Sequence, residues 1–227
     1  MKPVTAPRLL PDGGTVLILG SGPSLTQSDV DYARRHVALT IAINDSYLYA
    51  PDADVLYFGD GQWFRDHQGC RAPHTYQGRK FPAFAGRFRM SITSLGHVTD
   101  PDVLLLRQGP QMGLSLDTTK LATGKNSAFA ALNLSVHFGA TGAILLGVDM
   151  KQGKVFRDGA WRQSHHVWGM HPQDAHPPYE LCLQRFATLV KPLADIGFSV
   201  VNCTPGSALT CFPMQALRDR FPEAATA

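Results

Sequence analysis

Apolar residues fall along this chain in short unbroken runs, not in strict alternation with polar ones. The clearest are residues 15–20 (TVLILG), 37–44 (VALTIAIN), 54–60 (DVLYFGD), 143–149 (AILLGVD) and 198–203 (FSVVNC). Runs of this length, closed by Gly, Asn or Asp, predict strands buried on both faces. Helical stretches stand between them. Thr26 or Ser28 can cap a helix whose first turn holds Asp29 and Asp31. Residues 123–140 (TGKNSAFAALNLSVHFGA) predict a helix with Phe129, Leu132 and Val136 on one face and Gly139 closing it. A longer helix is predicted over residues 179–196, with Phe186, Leu189, Val190 and Leu193 on one face and Pro192 as a kink site. PMQALRDRF, residues 213–221, predicts a short C-terminal helix.

Strand and helix in alternation predict an α/β fold, a mostly parallel sheet flanked by helices in a single Rossmann-like domain over residues 15–227. Residues 1–14, rich in Pro and Gly, read as a flexible N-terminal arm. Residues 61–110 are less regular, with short apolar pieces such as DVLLLRQ, and residues 150–178 read as an irregular loop rich in His, Pro and Gly.

Composition narrows the classes. A chain of 227 residues, 44% hydrophobic, sustains one sizeable core. A net charge of +3 admits an anionic ligand without the basicity of a dedicated nucleic-acid binder. The cysteines, Cys70, Cys182, Cys203 and Cys211, form no C-x-x-C pair, which argues against a structural zinc site. The first residues lack the apolar centre of a signal peptide, and no apolar run approaches the roughly 20 residues that cross a bilayer. The expectation is a soluble, reduced, cytoplasmic protein, which includes a phage protein made in its host's cytoplasm.

Ligands of open parallel sheets bind beyond the carboxyl ends of the strands. The predicted ends carry Gly20-Ser21-Gly22-Pro23-Ser24, Asn44-Asp45, Asp60, Asp149 and the stretch Asn202 to Ser207. Gly20 and Gly22 admit two explanations: a backbone that cradles phosphate at a helix start, or a tight turn with no ligand. The turn is neither G-x-G-x-x-G nor a Walker A loop. SHHVWGMHPQDAH, residues 164–176, supplies candidate general bases, while its spacing matches no metal motif. Arg65, Arg71, Arg79, Lys80, Arg87 and Arg89 face one acid, Asp66, with Tyr76, Phe81, Phe84 and Phe88 interleaved. That segment fits an acidic or nucleic-acid acceptor, or a solvated basic face over a small core.

In order along the chain, LGSGPSL, AIND, TGKNSAFAALNLSVHFGATGAILLGVDM, HHVWGMH and CTPGSALTCF resemble motifs of the bacterial sialyltransferases of glycosyltransferase family 42. They also resemble the archaeal hydroxymethylpterin pyrophosphokinase-like proteins, and phage and prophage proteins of this size. The resemblance runs from residue 15 to 212. It implies that Gly20, Ser21, Gly22, Pro23 and Ser24 contact phosphate, and that Asn44 and Asp60 face the nucleotide or donor. It implies that Thr123, Gly124, Asn126 and Ser127 close the site from a helix start, and that Pro205, Gly206 and Ser207 touch the nucleotide. His166 would be the base, with His171 in the same catalytic segment. The sialyltransferases have Asn where Ser21 stands, and their phosphate-steadying tyrosines have no match between Asp149 and Ser164.

The implied function is a nucleotide-dependent transferase, most like a glycosyltransferase with a CMP-sugar or other nucleotide-activated donor and no tightly bound cofactor or metal. The acceptor is left open by the sequence, between a glycan, a protein and a modified nucleic acid contacted by residues 65–89, and a homo-oligomer is compatible with the sequence. Two alternatives stand beside it: a pyrophosphokinase or phosphotransferase using ATP and Mg2+, and a non-catalytic nucleotide-binding phage accessory protein.

Overall fold

The computed structural model describes residues 3–92, 98, 100–157, 160–164 and 178–223. The strands are β1 (Thr15–Leu19), β2 (Leu39–Ile43), β3 (Val55–Tyr57), β4 (His74–Tyr76), β5 (Arg79–Phe81), β6 (Phe88–Ile92), β7 (Val103–Gln108), β8 (Lys120–Leu121), β9 (Gly142–Leu146), β10 (Gly153–Arg157), β11 (Ala160–Ser164) and β12 (Ser199–Asn202). The α-helices are α1 (Gln27–Arg34), α2 (Gly61–His67), α3 (Ser127–His137), α4 (Tyr179–Asp195) and α5 (Leu217–Arg220). Eight strands form one sheet in the order β12-β9-β1-β2-β3-β6-β7-β8, and every pairing in it is parallel. This is the Rossmann-like α/β architecture that the apolar runs predict.

The runs are continuous because the sheet is covered on both sides. Val16 and Ile18 of β1 face one core with Phe129 and Leu132 of α3 and Phe186 and Leu189 of α4. Leu17 and Leu19 face the other, with Val30 and Ala33 of α1, Trp63 and Phe64 of α2 and Leu217 of α5. Alternate side chains therefore enter different cores, and no position on the strand is free to be polar. Helix α1 starts where expected: Thr26 is its N-cap, and its Oγ1 accepts from the Asp29 amide at 3.2 Å.

Three regions differ from the sequence expectation. Helix α3 is buried on nearly every face, including Ala130, Ala131 and Leu134, while Val136 of the expected apolar stripe is only half-buried. The helix packs between the sheet and α4, and the N-terminal segment adds Ala6, Leu9 and Leu10 to the same core. That segment is irregular, but its described part is held against the domain: Val4 N–H donates to the Leu105 carbonyl, Ala6 to Thr118 and Leu10 to Phe138, each at 2.8 Å. The second region, residues 61–110, contains β6 and β7 of the main sheet and the β4–β5 antiparallel hairpin. In the third, the expected loop over residues 150–178, β10 and β11 pair as an antiparallel hairpin.

The strand order fixes where a ligand can sit. From β1 the chain builds outward through β2, β3, β6, β7 and β8, then returns to place β9 on the other side of β1. The order reverses between β1 and β9, so the connections leaving these two strands diverge. Such a switch point leaves a crevice at the carboxyl edge of the sheet.

Candidate functional site

At the switch point the turn after β1 lies against the turn after β9. Gly20 N–H donates to the Leu146 carbonyl and Gly22 N–H to the Gly147 carbonyl, both at 2.8 Å. The two glycines are required by this approach. A Cβ on Gly20 would strike the Gly147 carbonyl, and one on Gly22 would strike Asp149 Oδ2 and lie 2.6 Å from the Gly147 oxygen. Ser24 completes the junction, donating its amide to Asp149 Oδ1 at 3.2 Å and its hydroxyl to Oδ2 at 2.8 Å. A carboxylate of the chain itself thus occupies the anion position of the glycine turn. Of the turn's amides, that of Ser21 is the one left without an acceptor among the described residues.

Beside this junction opens a cleft of about 590 Å3 along the carboxyl edge. Gly20, Ser21, Gly22 and Asp149 form one wall, with Asn44 and Asp60 at the ends of β2 and β3. Thr123, Asn126 and Ser127 enter from the start of α3, and Tyr179 from the start of α4. The local geometry of each follows from its sequence. Asp60 is the N-cap of α2, where its Oδ1 accepts from the Gln62 amide at 2.8 Å. Asn126 is the N-cap of α3, where its Oδ1 accepts from the Ala128 and Phe129 amides at 2.9 and 3.3 Å. Short polar side chains satisfy helix starts in this way.

Three residues of the wall are not satisfied. Asn44 Oδ1, Thr123 Oγ1 and the Tyr179 hydroxyl are out of contact with solvent and have no hydrogen-bond partner among the described residues. Thr123 as a whole is only 6% exposed. A buried polar atom without a partner costs about 1–3 kcal/mol, so three in one cleft wall call for an explanation by a ligand or solvent. The backbone is strained in the same place. Asn44, Lys125 and Met150, all in the wall, have φ of 49°, 52° and 52°. Non-glycine residues hold such angles at a cost of about 1 kcal/mol or more each, and they gather at functional sites.

The electrostatics are mixed. Burial raises the Asp149 carboxyl above the usual carboxylate range, against the opposing pull of the Ser24 hydrogen bonds and of Lys151 nearby. Burial also pushes the Tyr179 phenol up to about 12, with the Asp149 charge acting in the same direction, so it is protonated at neutral pH and able to donate. Lys125 and Lys151 are exposed wall residues, and neither forms a salt bridge among the described residues.

The cleft therefore brings together Gly20, Ser21, Gly22, Asn44, Asp60, Thr123, Asn126 and Ser127 of the expected site. Others of that set stand behind the wall. Pro23 packs at Gly153 of the β10–β11 hairpin. Ser24 is tied to Asp149, and the Gly124 carbonyl accepts from Arg185 at 3.2 Å. Ser207 Oγ donates to the Val148 carbonyl at 2.6 Å, so the Pro205-Gly206-Ser207 turn buttresses the strand β9 exit and does not line the cleft. His166 and His171 lie outside the described residues. The sequence reasoning missed Tyr57, Lys125, Lys151 and Tyr179 in the wall. Lys125 stands directly between the expected Gly124 and Asn126 and Lys151 lies two residues beyond Asp149, a usable signal, whereas nothing local marks Tyr57 or Tyr179.

The basic segment is not one patch. The Arg89 guanidinium is largely buried and bound to Asp100 at 2.6 Å, Arg87 lies over the Phe88 ring, and Phe81 is in the core.

The protein is thus an α/β domain of Rossmann-like architecture with a polar, partly unsatisfied cleft at the switch point of its parallel sheet. Comparison with known proteins finds no matching family, curated protein or solved structure. No described helix is long and apolar enough to cross a membrane.

Proposed function

We propose that the cleft binds a nucleotide and that the protein is a nucleotide-dependent transferase, most like a glycosyltransferase drawing on a CMP-type sugar donor. One observation carries the binding reading: the switch-point cleft has three wall residues, Asn44, Thr123 and Tyr179, each with a buried side-chain oxygen that lacks a partner. A nucleotide offers donors and acceptors of the kind these atoms lack, and pockets at this position in parallel sheets are common ligand sites. The glycosyl-transfer part rests on the motif resemblance. In it His166 takes the proton of an acceptor hydroxyl, the hydroxyl oxygen attacks the anomeric carbon, and the sugar–phosphate bond breaks with its electron pair leaving on the phosphate. The Tyr179 hydroxyl is a donor suited to that growing charge.

The pyrophosphokinase alternative asks Asp60 and Asp149 to hold Mg2+. Both carboxylates are already engaged, Asp60 at the start of α2 and Asp149 through both oxygens on Ser24. No observation favours it over the first reading.

The test is thermal stabilisation by CMP, CDP, UDP, GDP, ADP and ATP, each with and without Mg2+. A ligand at a hundred times its Kd stabilises the folded state by about 2.7 kcal/mol. The expected result is a shift with a cytidine nucleotide that falls about tenfold in affinity in Thr123→Val, which keeps the side chain's shape and removes its hydroxyl. His166→Ala should bind as the wild type and lose turnover. A shift only with ATP and Mg2+ selects the alternative, and no shift with any nucleotide refutes the proposal.

A further inference from the structure

In the sequence pattern, the glycine turn is the natural seat for phosphate. The structure fills most of that seat. Gly20 and Gly22 spend their amides on strand β9 and its turn, Ser24 spends its amide and hydroxyl on Asp149, and Pro23 has no amide to give, so Ser21 N–H is the one amide of the turn left for a ligand among the described residues. A phosphate approaching this turn meets the Asp149 carboxylate, which like charge makes unfavourable. An anionic ligand in the same cleft needs partners beyond the single Ser21 amide.

Two cations stand in the wall. Lys151 is two residues beyond Asp149, close enough to pull its carboxyl pKa down against the larger effect of burial. Its Nζ lies against Gly206, 3.5 Å from where a Cβ would stand. Lys125 reaches the cleft from the left-handed pair Gly124-Lys125, φ 52° at both residues, immediately before the N-cap of α3. That position adds the positive end of an 11-residue helix to the ammonium charge. Neither lysine has a salt-bridge partner among the described residues, although Lys120 and Lys191 on the same domain do. Thr123, nine-tenths buried with its hydroxyl unpartnered, lies two residues before Lys125 in the same wall.

We propose that Lys125 and Lys151 form the anion subsite of the cleft and hold the phosphate of the ligand, in place of the Gly20–Ser24 turn. The ligand class is a phosphate or diphosphate ester. The inference rests on the nucleotide reading only in taking that ester to be a nucleotide. Lysine ammonium groups suit this task as mobile point charges that tolerate one or two phosphates.

The experiment measures binding of pyrophosphate, CMP and cytidine to the intact protein by calorimetry. It compares the wild type with Lys125→Gln, Lys151→Gln, the double variant, and Lys154→Gln. Lys154 is exposed on β10 and outside the cleft wall, so its variant removes the same charge without touching the subsite. Each cleft lysine is expected to contribute about tenfold to CMP and pyrophosphate affinity, while cytidine binding and the Lys154→Gln variant stay within twofold of wild type. Raising salt from 0.05 to 0.5 M, roughly a threefold shortening of the screening length, should weaken pyrophosphate and spare cytidine. If CMP binds the wild type and both glutamine variants equally, the lysine subsite is wrong and the nucleotide reading survives. If pyrophosphate binds in a lysine-dependent way and CMP binds no better, the subsite stands and the nucleotide reading falls. If neither binds, both are overturned.

Discussion

Gly22→Ala separates two reasons for a glycine at the end of a buried strand. If the glycine makes room for a ligand, a methyl group there should weaken binding and leave the empty protein's stability alone. If it makes room for the chain, the empty protein itself should suffer. The structure commits to the second. The φ of Gly22 is not left-handed, so an alanine backbone fits and the cost is steric. The new Cβ would strike Asp149 Oδ2, and it would lie 2.6 Å from the Gly147 carbonyl oxygen and 2.7 Å from Asp149 Cγ. The backbone oxygen belongs to the exit of β9 and cannot withdraw without loosening Gly22 N–H to Gly147 at 2.8 Å. Moving the carboxylate instead breaks its bonds to Ser24 at 2.8 and 3.2 Å. Overpacking of this kind plus one or two lost hydrogen bonds comes to about 3 kcal/mol. For a domain of this size that is a fall in Tm of about 6–12 °C. Calorimetry or circular-dichroism melting in the absence of ligand reads it directly. A variant that melts within about 2 °C of wild type and binds nucleotide weakly would refute the reasoning, because the space would then belong to the ligand.

Two further outcomes follow from buried polar groups. Asn133, fully buried in α3, accepts from the Ser115 and Ala122 amides at 3.2 and 2.8 Å and donates to the Ser115 carbonyl at 2.8 Å. Asn133→Leu keeps the volume and strands those backbone groups, so urea unfolding should show a loss of about 3–4 kcal/mol, and a loss under 1 kcal/mol would contradict the bonding. His137 is buried with its ring on the Lys120 carbonyl at 2.9 Å, and burial lowers its pKa below 6.5. A lowered folded pKa means that the unfolded chain binds the proton first, so the stability His137 contributes is present above pH 6.5 and is lost as pH falls through its folded value. The slope is at most about 1.4 kcal/mol per pH unit. His137→Gln should therefore flatten the fall in urea midpoint between pH 7 and pH 5, and an unchanged slope would show that another group titrates.

The sheet was legible where burial leaves a strand no choice. Strands β1, β2 and β9 are apolar along almost their whole length because both cores claim their side chains. Strand β6, FRMSI, hid its place because Arg89 is neutralised by Asp100 and Ser91 Oγ donates to the Phe58 carbonyl at 2.7 Å. Those partners come from other segments, and no window of sequence displays them. The two hairpins stand outside the main sheet, so its two-sided burial does not shape their residues. The site divides in the same way. Asn44, Asp60, Asn126 and Ser127 follow strands or open helices, positions that the pattern predicts. Tyr179 reads as the first residue of an amphipathic helix, and only the packing of α4 brings it to the cleft. The decisive contact, Asp149 with Ser24, spans 125 residues. Without it the glycines read equally well as a phosphate cradle or a tight turn.

The coincidence of backbone strain with unpartnered buried oxygens argues that the cleft wall is kept for binding and not for stability. The turns leading into β1, β9 and β12 need left-handed residues, and there the chain uses glycine: Gly13 and Gly14, Gly139, and Gly197. Glycine adopts that conformation without a steric penalty. The turns leaving β9 and entering α3 use left-handed Gly147 and Gly124 but also carry Met150 and Lys125 in that conformation, and the turn leaving β2 carries Asn44; outside the cleft, Gln68, Cys70 and Gln77 hold it too. Each costs about 1 kcal/mol relative to glycine. The cleft wall also leaves the oxygens of Asn44, Thr123 and Tyr179 unpartnered, so both costs meet there. Selection for stability alone would favour glycine at Lys125 and a smaller or bonded side chain at Thr123. Where strained non-glycine turns and unpartnered oxygens coincide, as they do in the cleft wall, the chain is spending stability where side chains must be presented to something outside the protein.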